Sequence, residues 1–129
     1  MFTFTNFLLI GVGAAMGAWL RWFITYVLYM LYPAIPLGTL SVNLLGGFLI
    51  GLSLAAFQNS SIIYGEEIRL ILNVGFLGGL TTFSAYSADI ISFLQKGQIS
   101  MAIIIIFSNV LGALLFAYIG WFIFNFLID

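Results

Sequence analysis

Four long runs of apolar residues, separated by short polar segments, constrain the fold of this chain more than any other feature. We expect these runs to cross a membrane over about residues 4–31, 38–57, 67–94 and 99–127. A membrane-spanning helix needs about 20 mostly apolar residues, and only helices and closed barrels satisfy their backbone hydrogen bonds in lipid. The runs lack the alternating pattern of a barrel strand. The sequence therefore predicts an all-α membrane protein with four transmembrane helices, forming a single unit over residues 1–129.

The side-chain composition excludes most catalytic chemistry. Only 5% of the 129 residues are charged, against roughly a quarter in soluble domains, so we expect lipid around most of the surface. The chain has no cysteine and no histidine, which removes thiolate chemistry and the commonest general base. The interior of the runs contains no pair of acidic residues. We therefore expect no enzyme, and the net charge of −1 indicates no nucleic-acid partner.

The connections between the runs are short. Pro33 and Pro36 break the first run and form a loop, residues 58–69 are predicted to be a polar loop, and residues 95–98 close the third run. The first residues lack the basic segment of a signal peptide, so we expect the first run to be retained as a helix.

The few positive charges give almost no bias to the orientation in the membrane. Arg69 lies on the side predicted for both termini, and Lys96 lies on the other side, joined by Arg21 if that residue is at the wet end of its run. Orientation normally follows the excess of Lys and Arg in loops. Insertion in both orientations and insertion in one fixed orientation both stay open on this count.

Glycine pairs at a spacing of four recur in three of the runs. They are Gly13 and Gly17, Gly47 and Gly51, and Gly75 and Gly79. Such pairs let helix backbones approach closely in lipid, and packing within one subunit is the interpretation we favour for each. Because four helices of this size cannot enclose a polar path, any transport function predicts an oligomer.

The segment GFLGGLTTFS, residues 75–84, is the least suited to an uninterrupted helix. It has three glycines within five residues, each costing roughly 1 kcal/mol against alanine in a helix, and two threonines follow. Broken membrane helices commonly turn backbone carbonyls towards an ion. An ion site around the carbonyls of Gly78 and Thr81 is one interpretation, and a glycine seam for tight packing is the other.

Two aromatic and two amide side chains lie near this segment in the predicted fold. Phe83 and Tyr86 share a helical face, and the positive edge of an aromatic ring can stabilise a desolvated anion. Asn43 and Asn109 each offer two N–H donors, which suit a small anion. The alternatives are packing for the rings and interhelical hydrogen bonding for the amides.

Arg21 and Asp89 are the charges nearest to the hydrocarbon, and such residues are candidates for function. Arg21 could attract anions to a vestibule or extend to the interface beside Trp19 and Trp22. Asp89 could take part in proton coupling or mark a wet helix end.

Together these segments resemble the Fluc (CrcB) family of fluoride channels over nearly the whole chain. The resemblance lies in residues 13–22 (GAAMGAWLRW), residues 38–47 (GTLSVNLLGG), the GFLGGLTTFS stretch and residues 109–112 (NVLG). It implies a passive fluoride channel in the cell membrane, with chloride excluded. It also implies an antiparallel, dual-topology dimer of identical or homologous subunits, with the third helix broken at mid-membrane.

The resemblance further implies where the ions bind. A sodium ion at the dimer interface would be bound by the backbone carbonyls of Gly78 and Thr81 in both subunits. The anion pathway would include Asn43, Phe83, Tyr86, Arg21, Thr82, Ser84 and Asn109. Asp89 matches the family's acidic residue after the aromatics.

Two departures from the family pattern bear on the subunit composition. Tyr86 replaces the usual second phenylalanine, and Ile105 and Ala113 stand where polar residues often follow the path along the fourth span. A pore with one weakened side would suit one subunit of a heterodimer. A small multidrug or proton-coupled exporter is a further alternative, although such proteins need an acid in the first span, which has none.

Overall fold

The computed structural model describes residues 2–59 and 65–128, and in these residues it is helical with no strands. Four segments are long and apolar enough to cross a membrane. They are α1 (Phe4–Leu31), α2 (Leu37–Asn59), the third span (Gly65–Gln95) and α6 (Ile99–Ile128). The prediction of an all-α protein with four membrane-capable helices is confirmed, and each predicted bound lies within two residues of the observed one.

The third span is made of four consecutive pieces. They are α3 (Gly65–Arg69), a π-helical segment (Leu70–Leu77), α4 (Gly78–Leu80) and α5 (Ser84–Gln95). Residues 81–83, here called the interruption, lie outside these helices, and Thr81 is extended with φ −80° and ψ 157°.

Helix ends explain most of the connections. Pro33 follows α1, and because proline disfavours α-helical backbone in the residue before it, α1 stops and Tyr32 adopts φ −138°. After α5, Gly97 has φ +72°, and the Gln98 N–H donates to the Phe93 carbonyl at 2.9 Å. A left-handed glycine with this bond is the Schellman end of a helix, which reverses the chain into α6.

The predicted polar loop over residues 58–69 was too long. Residues 58 and 59 end α2, and residues 65–69 form α3, with Glu66 and Glu67 in its first turn. Acidic residues favour a helix start because they face its partial positive charge. Residues 60–64 lie outside the described part of the chain.

Glycines bring the helices into two close pairs. In α1, a side chain at Gly17 would meet the Phe76 carbonyl, and a side chain at Gly75 would come within 2.7 Å of the Ile10 carbonyl oxygen. In α2, a side chain at Gly51 would meet the Ala117 carbonyl of α6. The predicted glycine pairs therefore pack within the subunit, α1 against the third span and α2 against α6.

A small apolar core joins the two pairs. Val42, Leu77 and Leu80 are buried together between α1, α2 and the third span. Most other large apolar side chains are exposed; on α6, for example, 65% of Leu114 and 60% of Tyr118 are accessible. Because a water-soluble protein rarely exposes such continuous apolar surface, these faces fit contact with lipid.

The interruption lets the third span change neighbours. The π-helical segment and α4 pack against α1, whereas α5 packs against α6. The chain therefore passes from one helix pair to the other at residues 81–83, and this crossing point lies beside Asn43 of α2.

We expect Gly17→Ala to lower the free energy of unfolding by about 1–3 kcal/mol, because the added methyl group would overlap the Phe76 carbonyl and lie 2.7 Å from the Leu80 amide nitrogen. Thermal or denaturant unfolding in detergent measures the change. The matched control is Gly11→Ala in the same helix, where nothing lies within 4 Å of the new methyl group. Equal effects of the two substitutions would contradict close packing at Gly17.

Candidate functional site

A groove of about 410 Å³ opens where α2, the third span and α6 meet, and we call it the central groove. Its walls are Asn43, Gly46, Gly47, Ile50, Asn73, Leu77, Gly78, Thr81, Thr82, Phe83, Tyr86, Asn109, Val110 and Ala113. The groove thus collects three amides, two hydroxyls and two aromatic rings from an otherwise apolar protein.

Asn43 connects the three walls of the central groove. Its Oδ1 accepts a hydrogen bond from the Thr82 backbone N–H at 2.8 Å, which fixes the orientation of the amide. Its Nδ2 then donates to the Thr82 carbonyl at 3.0 Å and to Asn109 Oδ1 at 2.8 Å. Both N–H donors of Asn43 are therefore used within the subunit. The side chain acts as interhelical hydrogen bonding, the alternative that the sequence left open, while also forming part of the wall.

Asn109 retains a donor that the protein does not use. Its Oδ1 accepts from Asn43, and its Nδ2 donates one hydrogen to the Ile105 carbonyl at 3.0 Å. The second hydrogen of Nδ2 finds no acceptor among the residues that the structure describes. Since Asn109 is only 5% exposed and lines the groove, this N–H is an amide donor available to a bound anion.

The interruption frees the two carbonyls that the sequence singled out. In an α-helix the Thr82 N–H would bond to the Gly78 carbonyl, but it donates to Asn43 instead. Likewise the Ala85 N–H would bond to the Thr81 carbonyl, but it donates to Thr82 Oγ1 at 3.1 Å. Both carbonyl oxygens thus lose their helical donors, and both residues line the groove.

Carbonyl oxygens without donors are ligands suited to a hard cation. In residues 2–59 and 65–128, no cluster of three His, Cys, Asp or Glu side chains could hold a metal ion. Backbone oxygen is therefore the cation ligand that this region offers.

The two aromatic residues differ sharply in exposure. The Phe83 and Tyr86 rings meet edge to face, with centroids 5.1 Å apart and planes at 66°. Tyr86 is 7% exposed, whereas Phe83 is 76% exposed and has almost no cover within the subunit. Phe83 thus presents its ring at the open side of the groove.

Thr82 and Ser84 have a local structural role. The Thr82 hydroxyl is buried, caps α5 through the Ala85 N–H, and lies 3.3 Å from Ser84 Oγ. Thr82 lines the groove and Ser84 does not.

Arg21 and Ile105, both predicted near the pathway, do not line the central groove. Arg21 lies within α1, ten residues before its end. On α6 the wall is formed by Val110 and Ala113 beside Asn109, whereas Ile105 is buried elsewhere. The prediction for Ile105 was wrong because the face of a nearly uniform apolar helix cannot be assigned from its own sequence.

Asp89 lies in a second cavity, of about 210 Å³, away from the groove. Thr39 and Lys96 are among its other lining residues. Asp89 Oδ2 is buried and has no hydrogen-bond partner among the described residues.

Sequence reasoning missed Asn73, which lines the groove and accepts a hydrogen bond from Ser53 Oγ at 2.7 Å. The available signal was a single amide inside the apolar run LILNVGFL. A polar residue in a membrane helix is costly unless it has a partner, so an isolated asparagine indicates a contact or a site.

Comparison with known proteins gives a consistent result. The family described as CrcB-like protein, Camphor Resistance (CrcB), matches residues 8–121. A protein of Nitrosospira multiformis named fluoride-specific ion channel FluC is 48% identical over 111 residues, 86% of each chain. Proteins of the same name in Acinetobacter baumannii and Pseudomonas putida are 44% identical over 86% of each chain and 48% identical over 89% of this chain and 90% of theirs.

The match covers all four membrane-capable helices and the groove residues between them. This multi-pass membrane protein therefore belongs to the CrcB family.

Proposed function

We propose that this chain is a subunit of a fluoride-selective passive channel in the cell membrane, exporting fluoride down its electrochemical gradient. The observation that carries the proposal is the interruption, which brings freed carbonyls, an unused amide donor and exposed aromatic rings into one groove. Relatives named fluoride-specific ion channel, 44–48% identical over at least 86% of the chain, support the choice of ion. Conduction needs no catalytic group, so the chain is not an enzyme.

Selectivity would come from replacing the hydration shell of a small anion. The Asn109 N–H and the positive edges of the Phe83 and Tyr86 rings can take the place of water around fluoride. Chloride is larger and accepts weaker hydrogen bonds, so the same narrow contacts would stabilise it less. Thr82, Ser84 and Asn43 hold this arrangement in place. Arg21, outside the groove, would act at longer range by attracting anions.

The open side of the groove indicates an oligomer. Phe83 is 76% exposed at that side, and four helices leave the groove uncovered. We propose that a second subunit closes it in an antiparallel, dual-topology dimer, with the interruption at mid-membrane. The low bias of positive charge allows both orientations. Two pathways would then run along the dimer interface.

The freed carbonyls fit a structural sodium ion. Gly78 and Thr81 of each subunit would supply oxygen ligands at the interface, and Gly78 is itself exposed there. When bound, the ion would supply positive charge that holds the two subunits together and favours anions nearby. The residues therefore fit the ion that the family resemblance implies.

A heterodimer with a homologous subunit is the second candidate. The α6 wall beside Asn109 is apolar, formed by Val110 and Ala113, so one side of the pathway has few donors. A multidrug or proton-coupled exporter is less suited, because α1 has no acidic residue and Asp89 lies outside the groove.

We expect purified protein in liposomes to release fluoride rapidly and to retain chloride, because the groove offers donors matched to the smaller anion. A fluoride electrode and a chloride electrode measure the two fluxes in parallel, with protein-free liposomes as the control. Fluoride flux from the chain alone supports a homodimer. Flux only after co-expression with a homologue supports the heterodimer, and absence of fluoride flux in both preparations would refute the channel.

We expect sodium to raise the melting temperature of the detergent-solubilised protein relative to N-methylglucamine at equal ionic strength. A ligand that binds only the folded state stabilises it by about 2.7 kcal/mol at 100 times its dissociation constant. Potassium serves as the matched cation control. A melting temperature independent of the cation would argue against a sodium site at Gly78 and Thr81.

A further inference from the structure

The central groove has a second polar end that the proposed function does not use. Asn43 marks one end, and the Ser53–Asn73 pair lies ten residues further along α2. At 1.5 Å per residue this separates the two ends by roughly 15 Å. Gly78 and Thr81 lie between them on the third span.

Asn73 reaches the groove because of the π-helical segment. A π-helix repeats its hydrogen bonds from residue i to i+5, so Asn73 lies on the same side as Gly78, five residues later. Both residues line the groove, whereas Val74, next to Asn73, is 52% exposed. π-Helical turns are rare and are frequent at functional sites.

The hydrogen bond from Ser53 orients the Asn73 amide. Ser53 Oγ donates to Asn73 Oδ1 at 2.7 Å. Ser53 does not line the central groove but a separate apolar cavity of about 300 Å³, so this bond turns Oδ1 away from the groove. Both hydrogens of Nδ2 are then left, and neither finds an acceptor among the described residues.

Two unsatisfied amide hydrogens in apolar surroundings are costly. Leaving a buried donor without a partner costs about 1–3 kcal/mol, so the protein gains by offering this amide an acceptor. A cation cannot serve, because Nδ2 has hydrogens and no lone pair to give. The occupant that suits this end of the groove is an anion, together with any water it retains.

We propose that the Asn73 amide is a second anion-binding donor of the central groove, with Ser53 as its positioning residue. The proposal rests on the channel function above and adds a binding position to it. Fluoride leaving the Asn109 end would pass the freed carbonyls and find N–H donors again at Asn73.

The test compares Asn73→Leu with Ser53→Ala in liposomes. Both substitutions break the Ser53–Asn73 bond, but only Asn73→Leu removes the N–H donors. We expect fluoride efflux to fall at least tenfold in Asn73→Leu and by no more than about threefold in Ser53→Ala. Equal losses would make the pair a structural contact and overturn the proposal, as would wild-type flux in Asn73→Leu.

A second readout separates this proposal from the channel function. We expect fluoride to raise the melting temperature of the wild-type protein in detergent, and the rise to be smaller in Asn73→Leu. If the wild type shows this stabilisation but no flux, the channel function fails and the binding site stands. Absence of both refutes both. If Asn73→Leu does not assemble like the wild type by size-exclusion chromatography, Asn73→Ala removes the donors without added bulk.

Discussion

One hydrogen bond, from the Thr82 backbone N–H to Asn43 Oδ1, determines much of this structure. It removes Thr82 from the helical hydrogen-bond pattern and so frees the Gly78 carbonyl. It also fixes the orientation of the Asn43 amide, whose Nδ2 can then only donate, to Thr82 and to Asn109. A backbone interruption in lipid is tolerable only when its polar groups are satisfied, and Asn43 satisfies both the N–H and the carbonyl of Thr82.

That bond depends on close approach between helices. Gly46 of α2 faces the Thr81 methyl group, where a side chain would collide with it, so the interruption can lie against α2 beside Asn43. Gly79 in turn packs against the Ala14 carbonyl of α1. In lipid, where apolar burial gives little driving force between helices, such backbone contact and hydrogen bonding must supply the specificity. The glycines and the asparagine therefore act together.

The fold was largely predictable, because hydropathy alone locates helices in lipid. The unusual backbone of residues 75–84 was also visible, since glycines and threonines weaken a helix locally. The partners were not predictable: Asn43 and Thr82 are 39 residues apart, and their contact follows from helix packing. Asn73 was missed for a related reason. An α-helical reading gives no cause to group it with Gly78, and the π-helical segment has no distinct hydrophobic pattern that would reveal it.

The arrangement of donors and acceptors suggests how one groove could serve two ions of opposite charge. The freed carbonyls of Gly78 and Thr81 are acceptors and would repel an anion that approached them directly. The N–H donors of Asn109 and Asn73 lie on either side of these carbonyls along the groove. A cation held at the carbonyls would reverse the sign of the local potential and lower the barrier between the two donor positions. The proposed sodium ion would then contribute to conduction as well as to assembly, because the anion could not pass the bare oxygens at comparable cost.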